Sequence, residues 1–192
     1  MNVHMNVHVN FQTVRVLLKV HYFQGATMDI LDHYLGYEAW TLRHFITRCH
    51  EVAPTQLHQP FDIGHGTLHE TIVHIIRNLE IWTDLMREQP VRQLPPLPAT
   101  VEDYLQRFDP AMADFADCAR ALVAEERLGA TYLDVLDTPP TPKTFGGTIL
   151  HVLTHTTVHR WEIQHMLQRL GLDDLMEGDA LSWERRVRQH AL

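Results

Sequence analysis

The chain has 192 residues, 45% hydrophobic and 21% charged, with a formal net charge of −8. That is long enough for one domain with a sizeable core. The acidic balance argues against a nucleic-acid groove, which needs a basic footprint, and no run reaches the roughly 18 apolar residues of a membrane span. Arg185, Arg186 and Arg188 form a local basic cluster that reads as a solvated helix face. Cys49 and Cys118 lack metal-ligand spacing and point to a reduced, cytoplasmic protein without a disulfide framework, although a single disulfide between them stays open. Fifteen histidines are more than one site can use, so histidine count alone is a poor guide to ligands.

Residues 1–27 form an N-terminal extension, read as a leader, an edge strand or a partner-binding arm, ahead of a domain over 28–192. They lack an apolar core of signal-peptide length, because Lys19 and His21 interrupt it. The first helix is expected from Met28 to Cys49, with Ile30, Leu31, Tyr34, Leu35, Trp40, Leu42, Phe45 and Ile46 recurring at three- and four-residue steps. Pro54 and the polar run to Gly66 close it. The second helix opens on a capping box, with Thr67 as N-cap and Glu70 three residues on. Its stripe is Leu68, Ile72, Ile75, Ile76, Leu79, Trp82 and Met86, and Pro90 ends it.

A proline-rich loop from Gln89 to Ala99 follows. The third helix is expected from Thr100 to about Leu128, stopped by Gly129, with a kink or break at Pro110. Phe108, Met112, Phe115, Ala119 and Leu122 make its packing side. A second long connection, Ala130 to Lys143, has a short extended stretch near Tyr132–Leu136. The fourth helix ends at Gly171, and a short helix over Ala180–Gln189 completes the chain. The fold class is therefore all-α: a four-helix bundle with long crossover loops and a short C-terminal helix.

The fourth helix carries His151, His155 and His159 at steps of four, which places them on one face. Two neutral imidazoles one turn apart can point at one metal ion. The same pattern also fits a polar seam of hydrogen-bonded histidines. His155 and His159 lie at the margin of the packed stripe, His151 on its other flank, and His165 points away. No aspartate or glutamate is obviously inward, so His74, at the edge of the second helix's stripe, is the best third ligand. Three imidazoles leave a position for water or substrate, the pattern of a catalytic site. Nitrogen ligation suits zinc, nickel or another late first-row metal.

The segments GHGTLHETIVHIIRNLEIWTDLM (64–86) and ILHVLTHTTVHRWEIQHMLQRLGL (149–172) resemble the two signature helices of the DinB-like (DinB/YfiT) superfamily of metal-binding four-helix bundles. HYLGYEAWTLRHFI is similar to its opening helix and GDALSWER to its closing segment, so the resemblance spans about residues 28–188. It implies metal ligands at His74, His155 and His159, and a non-ligand role for His151. Arg160 matches an arginine that usually follows, and it can hold an anionic group or make a surface or helix-end salt bridge. Trp161 stands where the family often has glycine.

The resemblance further implies a divalent ion, zinc or nickel, and a cytoplasmic homodimer acting on a small molecule. Family members of known activity are S-transferases or isomerases using a low-molecular-weight thiol such as bacillithiol or mycothiol, and others are proposed hydrolases. The expected function is activation of a thiol or water at the ion. The rivals are a metal-binding stress or accessory protein without turnover, and a dimerising bundle with adventitious metal.

Overall fold

Threonine side chains start three of the helices. In the computed structural model, which describes residues 29–93, 95–98 and 100–190, Thr67, Thr100 and Thr144 each accept a hydrogen bond from the backbone N–H three residues on. Each bond satisfies an orphan donor of a helix N-terminus. With Asp29 doing the same for the first helix, the elements are α1 (Ile30–Arg48), α2 (Leu68–Met86), α3 (Val101–Ala124), α4 (Phe145–Arg169) and α5 (Ala180–His190). The protein is predominantly α-helical, as expected. The extension at 1–27 lies outside the described residues.

The helix ends depart from expectation in an instructive way. α2 and α3 stop at Met86 and Ala124 because Glu88 and Glu126 adopt left-handed backbone angles, φ 53° and 57°. Arg127 N–H then reaches back to Leu122 O at 2.9 Å, and Gln89 N–H to Asp84 O at 2.9 Å. Two glutamates thus fill the role expected of glycine, and Gly129 is not the stop of α3. Gly171, at φ 96°, does close α4. α3 runs unbroken through Pro110, which faces solvent, where water can satisfy the carbonyl the proline leaves free.

α2 packs on α3 and α4, and α1 packs on α3 and α4. The consecutive pairs α1–α2 and α3–α4 therefore lie across the bundle's diagonals, which is why their connections are long. Side-chain pairs give the directions. Arg43–Asp109 and Arg120–Asp32 make α1 and α3 antiparallel. Arg107–Glu80 and Arg87–Asp114 make α2 and α3 parallel. The first diagonal connection carries 3-10 turns at Cys49–Glu51 and Pro54–His58. The second carries a hairpin, β1 (Thr131–Asp134) antiparallel to β2 (Thr141–Thr144), with Thr131 opposite Thr144 and Asp134 opposite Thr141. Tyr132–Leu136 was expected to be extended; its partner strand holds Pro142, tolerable because a two-stranded ribbon is all edge.

The expected stripes of α2 and α3 are buried, Trp82 only partly, whereas Ile30 of α1 is 85% exposed. α5 seats Trp183 over Gly36, where a Cβ would lie 2.5 Å from the indole. Arg185, Arg186 and Arg188 are exposed. Among the described residues, no helix is long and apolar enough to cross a membrane.

One buried ion pair fixes α4 against α1. Arg160 has no exposed surface and Glu38 has 1%. Arg160 Nε faces Glu38 Oε2 at 3.6 Å, and its Nη2 donates to Tyr37 Oη at 2.7 Å. Thr157 Oγ1 donates to Glu38 Oε1 at 2.6 Å. Burial raises the Glu38 carboxyl above its usual range, against the pull of Thr157 and Arg160. Arg160 therefore does make a salt bridge, but in the interior rather than at the surface or a helix end, and it is enclosed by its own protein partners rather than open to an anionic ligand. Removing one partner of such a pair leaves an uncompensated buried charge. Glu38→Ala is expected to lower stability by about 3 kcal/mol in urea unfolding, with Glu38→Ala/Arg160→Met recovering much of it. A single variant within about 0.5 kcal/mol of the parent would mean the pair does not hold α4.

Candidate metal centre

α2 and α4 run antiparallel, and their facing residues form a ladder of four-residue steps. His74, Asn78 and Trp82 on α2 meet His159, His155 and His151 on α4 in reverse order. His155 Nε2 lies 3.5 Å from His74 Nε2 and 3.1 Å from His159 Nε2. Asn78 Nδ2 lies 2.9 Å from His74 Nε2 and 3.1 Å from His155 Nδ1. At the far rung the His151 ring meets the Trp82 indole edge-on at 5.5 Å. All three residues expected from sequence are brought together. His151 is exposed and lies 5.3 Å, centroid to centroid, from His155.

Two further residues join them. His65, on the loop before α2, places its ring 3.7 Å from that of His74 and 5.0 Å from that of His159. Ligating nitrogens of His65, His74 and His159 all lie within 4.8 Å of one another. Glu162 Oε2 sits 2.6 Å from His159 Nδ1, so an inward carboxylate exists where sequence reasoning found none. Its three-residue spacing from His159 was the available signal. For His65 there was none, since a loop has no periodicity to read.

The donor chemistry fits a divalent ion. Nitrogens held about 2.0–2.1 Å from a tetrahedral zinc stand about 3.3 Å apart, and the observed 3.1 and 3.5 Å bracket that spacing. With His159 Nδ1–H donated to Glu162, Nε2 is left as the free lone pair, the carboxylate–histidine arrangement common at metal sites. The Asn78 amide bridges His74 Nε2 and His155 Nδ1 and so ties the two rings together.

A cavity of about 610 Å³ opens beside His151, lined also by Trp82, Leu136, Asp137, Lys143 and Thr148. Lys143 Nζ holds Asp134 at 3.2 Å and Asp137 at 2.8 Å. Trp161 is 48% exposed and lies outside that lining.

A helix bundle with clustered imidazoles spanning two helices is the class of protein that this fold and site define. The DinB superfamily model matches residues 39–163, and the chain belongs to that family. No curated protein matches the sequence. The family and the histidine cluster are together compatible with divalent-metal binding.

Burial pushes the His74 and His155 imidazoles down to about 4, with neighbouring histidines adding to the shift. His65 is lowered for the same reasons. An unfolded histidine takes its proton near the ordinary 6.5, so protonation favours the unfolded chain between 6.5 and about 4. In chelator, the thermal midpoint should be flat just above pH 6.5 and fall as pH drops toward about 4. A His74→Gln/His155→Gln variant should lose much of that fall; an unchanged slope would show that these rings do not carry it.

Proposed function

We propose that His74, His155 and His159 hold one divalent ion, zinc or nickel, and that the protein is a metal-dependent enzyme of the thiol S-transferase or hydrolase type. The observation that supports this reading most is that His155 Nε2 lies 3.5 Å from His74 Nε2 on α2 and 3.1 Å from His159 Nε2 on α4. A bound ion would supply Lewis acidity, lowering the pKa of a thiol or water toward neutrality. Glu162 orients the His159 ring and sets its tautomer, and Asn78 bridges His74 and His155. The low pKa values of His74 and His155 keep those two rings unprotonated at neutral pH, ready to donate. The cavity at Trp82 and His151 offers a small molecule an apolar wall and the Lys143–Asp137 pair; His151, which lines it, is one helical turn from His155, and none of the three histidines lines it. A low-molecular-weight thiol is the co-substrate of choice, in a cytoplasmic setting.

Protein purified without a metal-affinity step should carry about one divalent ion per chain, and His74→Ala should weaken binding roughly tenfold or more. Unchanged metal content in that variant sinks the three-histidine site. Turnover of electrophilic substrates with a panel of thiols, abolished by chelator, would identify a transferase. Binding without any metal-dependent turnover would favour a non-catalytic stress or accessory protein.

We also propose a homodimer through the outer face of α4. Leu150, Val158 and Trp161 are 59%, 56% and 48% exposed and lie along one side of that helix. Sedimentation velocity should show a dimer that Val158→Glu converts to monomer; a monomeric parent chain rules it out.

A further inference from the structure

The loop that precedes α2 is built to deliver a side chain. Phe61 N–H donates to Gly66 O at 2.7 Å and Gly66 N–H to Ile63 O at 3.0 Å, which closes residues 61–66 into a tight turn. Gly64 and Gly66 flank His65 and both have positive φ, 55° and 85°, a backbone that side chains rarely adopt. The turn is pinned to α4 at two places. Arg169 donates to Asp62 Oδ1 at 2.6 Å and lies over the Phe61 ring. Gly64 rests on Glu162, so closely that a Cβ there would fall 2.2 Å from Oε2. Glu162 is also the partner of His159 Nδ1. One carboxylate therefore seats both a helix histidine and the loop that carries His65.

We propose that His65 is a fourth, displaceable nitrogen donor to the ion held by His74, His155 and His159. This rests on the three-histidine reading above. His65 offers a nitrogen that forms, with those of His74 and His159, a group in which every separation is at most 4.8 Å. Its side chain comes from an exposed turn, whereas His159 is 8% exposed on a packed helix. The three helix histidines would hold the ion, and His65 would supply a further nitrogen that an incoming thiol or water could replace.

Cobalt(II) tests this, because its visible absorption is strong when four-coordinate and weak when water raises the coordination number. Parent chain, His65→Ala, His65→Gln and His74→Ala are each titrated with Co2+, with affinity read by chelator competition and helix content by circular dichroism. His65→Ala should keep one-to-one binding and parent helicity. Its affinity should fall roughly 10- to 100-fold and its absorption should weaken. Parent-like affinity and spectrum in His65→Ala and His65→Gln would overturn the proposal and leave His65 a stacking residue. Loss of binding in His74→Ala alone keeps the helix site while rejecting the fourth donor. No stoichiometric binding by the parent chain rejects both.

Discussion

Arg160 follows His159 directly, and adjacent side chains leave an α-helix about 100° apart. Fixing one aims the other. The guanidinium is locked between Glu38, Tyr37 and the Gly178 carbonyl, with no exposure to solvent. α4 cannot rotate about its axis without tearing a charge from its partners, a change worth several kcal/mol. The imidazoles of His155 and His159 are thereby held toward α2. A charged pair inside a bundle is a poor source of net stability and a good source of register, and here the register it sets is that of the histidine face.

The same geometry accounts for the protonation state of the cluster. Packing His74 and His155 between helices removes water from rings that also face one another, and both effects oppose a positive charge. His74 and His155 are therefore held neutral into mildly acidic pH. Glu162 and Asn78 take up the remaining ring nitrogens of His159 and His155. The rings are thus directed as well as gathered.

Much of the frame was legible in the chain itself. Thr67 with Glu70 and Thr100 with Asp103 announced helix starts that the backbone adopts, and the four-residue step of His155 and His159 announced a shared face. What was missed depends on tertiary partners. Nothing local distinguishes Arg160 from a solvated arginine; its counter-charge lies on α1 at Glu38. Glu126 outcompeted Gly129 as the α3 terminator because left-handed geometry was supplied by a residue with low propensity for it. His65 was invisible for want of periodicity, although the glycines on either side of it mark a turn. The family model, matching 39–163, agrees with the helical core and ends before the C-terminal segment.

That segment is less peripheral than its position suggests. Gly178 O accepts from Arg160, Met176 O lies 3.5 Å from Gln164 Nε2, and Asp174 accepts from Arg48. Beyond them Trp183 drops into the notch left by Gly36. The tail thus acts as a clasp across α1 and α4, closing over the guanidinium whose neighbour is His159. A protease cut in the stretch between α4 and α5 would admit water to Arg160, relax its grip on Glu38, and so be felt at the imidazoles from the opposite end of the chain.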